Sequence, residues 1–315
     1  MKTIFHASVS FIMSVGLLSC GSLVQEVNPD RVPVATAKLV VHSYISPQDT
    51  VLTVVVETPV AVVGQQDMIN YGNRRYLGIA TVNLSDGTRT VGLPFSVKDQ
   101  LYRLAPRELP IVAGRTYTLT VSAPNFPAIT AQCVVPALVK PTEIRVDSVR
   151  QKQGQGSSVQ YLARLLWRDQ PGVVNYYSVG GTIYLDVTRP NFAQPNPQLR
   201  RDTTITEQRR LSIDAGSAML SDQNRDGQPL ISGTFRDYTY YYEGPGATGR
   251  TSNQRIIMTL SSVDENYYRY RIGIEQQNTA NDNPFAEPVL IPSNIKNGLG
   301  CFGAFNQSSL SVRVR

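Results

Sequence analysis

The chain has 315 residues, a formal charge of +6 and only 17 % charged residues, against about 25 % in ordinary soluble domains. That length allows two domains of about 150 residues each. The only histidines are His6 and His42, which excludes a histidine-rich zinc centre. No GxSxG, HExxH or CxxC occurs either, so no catalytic signature is present and the chain reads as a non-enzyme without a cofactor.

In chain order, Met1-Lys2-Thr3 leads into an apolar run from Ile4 to Leu18 and ends at Leu17-Leu18-Ser19-Cys20-Gly21. A charged tip, a short apolar segment and small residues around a cysteine describe an export signal whose cleavage exposes that cysteine, a lipobox. The run is shorter than the roughly 20 residues a bilayer-spanning helix needs. The expectation is a signal peptide over 1–19, lipidation of Cys20 and a tether over 20–35. Several acyl chains on one residue hold a protein to a membrane durably. Gly21 and Ser22 follow where an acidic residue signals inner-membrane retention, so the expected address is the outer membrane, with the leaflet open. Behind an export signal the positive charge reads as solubility rather than nucleic-acid binding.

From Lys38 the pattern turns to period two. Leu52, Val54 and Val56 alternate with Val51, Thr53 and Val55, and Ala80, Val82 and Leu84 precede the turn Asp86-Gly87. Tyr117, Leu119 and Val121 alternate with threonines, so they face a core. Short strands punctuated by Gly, Pro and Asp predict a β-sandwich of immunoglobulin-like or transthyretin-like outline over 36–137. His42, in Leu39–Tyr44, reads as a strand residue with a structural role. Residues 138–142 read as a linker, and 143–315 as a second β-rich domain with one short helix.

In that second part, Val159–Trp167 and Tyr176–Thr188 read as strands, and the arginine-containing stretch from Arg189 to Arg210 as an exposed loop or ribbon. Ser262-Val263-Asp264-Glu265 matches a capping box with Ser262 as N-cap, and Val263, Tyr267, Tyr270 and Ile274 recur at helical spacing. Cys133 and Cys301 fall in different expected domains, so buried free thiols are the default and a bridge between them stays open.

Four motifs carry candidate chemistry. Asp222, Asn224 and Asp226, followed by Gly227, match the first half of a calcium loop, but Gly233 stands where the bidentate carboxylate belongs. An ordinary turn uses the same residue types. Gly298-Leu299-Gly300-Cys301-Phe302-Gly303 spells GxGxxG with too little chain after it for a dinucleotide fold, and Ser293-Asn294-Ile295-Lys296 spells SxxK inside a turn. Tyr238, Tyr240 and Tyr242 share one strand face, either as an exposed row for a sugar or protein partner or as a packed cross-strand ladder.

The run Asn283-Pro284-Phe285-Ala286-Glu287-Pro288-Val289, then Ser293-Asn294-Ile295, then Asn297 to Phe305 resembles the closing motif of a Bacteroidota lipoprotein family, domain of unknown function 4249. Leu39-Val40-Val41 with Tyr44-Ile45-Ser46, and Leu220-Ser221-Asp222 with Gly227, resemble earlier segments of that family. Cys301 stands where the family carries a branched aliphatic residue. The resemblance implies an exported β-rich lipoprotein, often encoded near TonB-dependent outer-membrane receptors, and supplies no functional residues. The expected role is a binding or accessory subunit on such a receptor, with a surface glycan- or protein-binding adhesin as the alternative.

Overall fold

The computed structural model describes residues 38–58, 76–153, 156–190, 193–199, 201–242, 250–281, 286–287 and 289–314. All of these fall in one compact unit, and the protein is mainly β. Eight strands come first: β1 (Val40–Ile45), β2 (Leu52–Glu57), β3 (Thr81–Ser85), β4 (Thr90–Leu93), β5 (Phe95–Ser96), β6 (Leu101–Leu104), β7 (Thr116–Ser122) and β8 (Ile129–Val134). Longer strands follow, β9 (Pro141–Gln153), β10 (Gly156–Arg168) and β11 (Tyr176–Pro190). The shorter β12 (Asp202–Arg210), β13 (Ser212–Ala215), β14 (Met219–Ser221), β15 (Pro229–Ile231) and β16 (Thr234–Tyr242) come next. The chain then runs through β17 (Arg250–Val263), the helix α1 (Glu265–Asn281) and β18 (Leu299–Arg313).

Alternation places the first core. In β7, Tyr117, Leu119 and Val121 are buried while their neighbours reach outward, and β2 buries Leu52, Val54 and Val56 in the same way. A four-stranded sheet, β4-β3-β7-β8, lies on one side of this core. On the other side are β1, β2 and β6, together with Phe302 and Ala304 from the first half of β18.

The second core has the same plan with longer strands. Tyr161, Ala163, Leu165 and Trp167 of β10 and Phe235 of β16 meet Tyr177, Val179, Ile183 and Leu185 of β11 and Ile256, Met258 and Leu260 of β17. A sheet with β13-β16-β10-β15 in order, and β9 on the free side of β10, packs against β12-β11-β17-β18. Val135 belongs to the first cluster and Val139 to the second. The stretch from Arg189 to Arg210 ends in an edge strand, β12, paired along β11 from Thr182↔Arg210 to Pro190↔Asp202.

One strand belongs to both halves. Residues Leu299–Ala304 of β18 run parallel to β1, and Phe305–Arg313 run antiparallel to β17. A single sheet of nine strands therefore passes through the molecule, with β18 in its middle.

The helix corrects two expectations. It is seventeen residues long rather than short, and Ser262 is not its cap. Ser262 continues β17, opposite Tyr177 on one side and Asn306 on the other. Asp264 caps instead, its Oδ1 accepting the Tyr267 N–H at 2.9 Å. Two ladder partners hold Ser262 extended, which a local capping pattern cannot outweigh.

Candidate functional site

Cys20, the residue on which the expected anchor depends, lies outside the described residues, as do Asn283, Pro284, Phe285 and Pro288 of the family-like run. Among the described residues no helix is long and apolar enough to cross a membrane.

The C-terminal glycine motif builds a seat. Gly300 has φ +105°, and a Cβ there would sit 2.1 Å from the Val41 carbonyl oxygen. Only glycine permits β18 to lie this close beside β1. At Gly303 a Cβ would stand 2.9 Å from that of Tyr267 and 3.3 Å from Asp264 Oδ1, so this glycine makes room for the start of α1. Asn294 completes the arrangement: its Oδ1 accepts the Phe302 N–H at 3.0 Å, and its Nδ2 donates to the carbonyls of Phe302 at 2.7 Å and Gln132 at 3.1 Å. Ser293 of the SxxK run accepts the Ile295 N–H at 3.2 Å, and the Lys296 N–H pairs with the Thr130 carbonyl. Both decoy motifs serve backbone geometry.

Beneath α1 lies a cluster that sequence reading does not assemble. The faces of β1 alternate, so Val41 and Ile45 enter the first core while His42 and Tyr44 meet the helix. His42 Nε2 is 2.6 Å from Tyr270 Oη, and the Tyr44 ring meets Tyr267 edge-on at 4.9 Å. Cys301, opposite His42 in the parallel ladder, points its Sγ at the Asn266 carbonyl at 3.7 Å. Burial raises the Tyr44 hydroxyl above its ordinary range, with further upward pushes from Cys301, Tyr270 and Tyr267. Burial also pushes the Cys301 thiol up to about 12, helped by Asp264. Cys133 is raised by burial, then by Asp264 and Cys301. Both cysteines are free and buried, so these thiols are protonated and poor nucleophiles at neutral pH. The cluster packs the helix onto the sheet and carries no activated nucleophile.

The half calcium loop gains an unexpected member. Asp222 and Asp226 come together with Asp169, with one carboxylate oxygen of each within 4.8 Å of the others, while Asn224 is exposed in the left-handed region at φ 66°. Asp169 and Asp222 are buried. Each carboxylate already accepts protein donors. Asp169 takes the Tyr177 hydroxyl at 2.5 Å and the Gly227 N–H at 2.8 Å. Asp222 takes the Asn175 N–H at 3.0 Å, and Asp226 the Gly172 N–H at 2.9 Å. Burial raises the Asp222 carboxyl, Asn175 lowers it, and the charges of Asp169 and Asp226 raise it further. The trio ties the β10–β11 loop to the turn after β14. Asp169 lies too far back in the chain for the local loop pattern to include it.

Of the tyrosine row, Tyr238 alone has a described side chain. Tyr238 is 42 % exposed, but its hydroxyl accepts Gln160 Nε2 at 3.1 Å and the Arg236 guanidinium lies 5.7 Å from its ring centre. Tyr240 and Tyr242 occupy ladder positions opposite Ser158 and Gly156, and their side chains lie outside those described. Tyr238 is thus a cross-strand partner that keeps one exposed side.

Taken together, these features define a mainly β protein whose most particular sequence motif is a strand-and-helix seat. The chain belongs to the family described as Domain of unknown function (DUF4249), which matches residues 24–311. No curated protein sequence matches it.

Proposed function

We propose that this protein is a lipid-anchored outer-membrane lipoprotein that works as a non-enzymatic binding or accessory subunit, docked on a TonB-dependent receptor during uptake. The observation that carries the reading is Leu17-Leu18-Ser19-Cys20 behind a charged tip and a short apolar run. Support comes from the raised, packed thiols and tyrosines around His42, which leave the only histidine outside the signal serving a helix interface. Cys20→Ala is expected to move the protein from the membrane fraction to the soluble fraction. A receptor pull-down from solubilised membranes is expected to recover a large β-barrel partner with the acylated chain. Wild-type protein that stays soluble with an unmodified Cys20 by mass spectrometry overturns the anchor, and an acylated chain that recovers no membrane partner overturns the accessory role. The alternative, a surface adhesin for glycan or protein, draws support from the exposed side of Tyr238.

A further inference from the structure

The two flanks of the second core differ. On the β12 side the sheets are fastened, because Arg209 on β12 reaches across to Asp237 on β16 at 3.0 Å and donates to the Tyr238 carbonyl at 2.9 Å. On the opposite flank, formed by β9 and β18, Ser308 Oγ donates to the Val139 carbonyl at 2.9 Å. Between them opens a groove of about 320 Å³ lined by Ile144, Val146, Ser148, Tyr161, Val312 and Val314, with Arg313 on the same wall.

Both walls are strand edges. Among the described residues β9 pairs with β10 alone over its whole length, and Ser309–Arg313 pair with β17 alone. Alternate backbone N–H and C=O groups of each edge therefore face outward, ready to accept another strand. The register from Glu143 to Gln153 is unbroken, so Ile144, Val146, Ser148, Arg150 and Lys152 share one face. That face runs from apolar to basic. The acidic groups of β9 are already engaged on the opposite face, Glu143 by Arg145 at 2.9 Å and Asp147 by Arg164 at 3.4 Å. Arg150, Lys152 and Arg313 are left without an acidic partner among the described residues.

We propose that this flank captures an extended acidic segment of a partner protein by strand addition to β9. The segment's apolar side chains enter the groove beside Ile144, Val146 and Val312, and its carboxylates meet Arg150, Lys152 and Arg313. Strand addition takes affinity from main-chain hydrogen bonds and selectivity from alternate side chains, and the unpartnered basic groups select the acidic strand. The inference deepens the accessory reading by naming the surface that receives the partner.

The test uses the full chain carrying Cys20→Ala and a labelled Val–Glu peptide of about nine residues, the reach of the open edge, with Thr at every even position and, at the odd positions that share one face, Val in one half and Glu in the other, made in both chain directions. A Val–Lys peptide is the control. The expected result is saturable binding of the Val–Glu peptide alone, with slowed hydrogen exchange at the amides of β9. Arg150→Glu with Lys152→Glu, both exposed positions, should weaken it by about tenfold or more and favour the Val–Lys peptide. No binding of the Val–Glu peptide, equal affinity for the reversed variant, or protection elsewhere would overturn the inference. So would a dimer that protects β9 without peptide, which assigns the flank to a second copy. Binding at β9 alongside a pull-down that recovers no receptor would remove the accessory reading and leave the groove assignment standing.

Discussion

At the residue scale, Asp264 is where local geometry and burial pull against each other. Its Oδ1 caps α1, while its Oδ2 is buried and has no hydrogen-bond partner among the described residues. Burial pushes this carboxyl up to about 6 from an ordinary 3.8, against the lowering pull of the Tyr267 N–H. The folded state therefore holds the proton more tightly than the unfolded chain. The stabilisation this provides is complete below about pH 4 and is lost as pH rises through about 6. Asp264→Asn keeps the cap acceptor and removes the titration. Relative to the parent, the variant is expected to gain about 2 kcal/mol between about pH 4 and about pH 8, read from urea unfolding at both. A difference that does not change with pH would refute the assignment. The sequence offered Ser262 for this role because Ser-x-x-Glu is a local pattern; nothing local reveals that β11 and β18 flank Ser262 as strand neighbours.

At the scale of elements, β18 carries the most specific sequence and the least predictable geometry. The alternation of Tyr117, Leu119 and Val121 could be read directly, since a half-buried antiparallel strand writes its core face every second residue. The pairing of Val41 with Gly300 could not. Parallel neighbours so far apart in the chain leave no turn between them to read, and the only trace is glycine where a side chain would collide. Asp169 escaped for the same reason, being distant in sequence from Asp222 and Asp226. The tyrosines of α1 were visible at helical spacing, but their partners His42 and Tyr44 were not. The glycines support a direct prediction. Gly300→Ala must accommodate a positive φ and a contact with the Val41 carbonyl, and should cost about 3 kcal/mol or more. Gly180→Ala, with open space around it, is expected to be neutral within about 0.5 kcal/mol. Equal melting temperatures for the two variants would contradict this account.

At the scale of the whole molecule, two cores share one strand. Phe302 and Ala304 lie in the first, and Val312 packs against the second. Each core holds its own reporter, Cys133 in the first and Trp167, the chain's single tryptophan, in the second. In a Cys20→Ala background, denaturant should expose the Cys133 thiol to alkylation, followed on its own peptide by mass spectrometry because Cys301 also reacts, and shift Trp167 emission at one midpoint. Gly300→Ala should lower both together, although Trp167 belongs to the other core. Separate midpoints, or a variant that moves only the thiol signal, would show that β18 does not couple the halves.

Placing β18 beside β1 also orders events in time. Strand β18 follows β1 by more than 250 residues yet completes its core, so Val41 and Ile45 wait for Phe302 and Ala304 before their cluster is complete. Long-range closure of this kind slows folding. If the chain is exported as proposed, such a delay would keep it threadable during translocation.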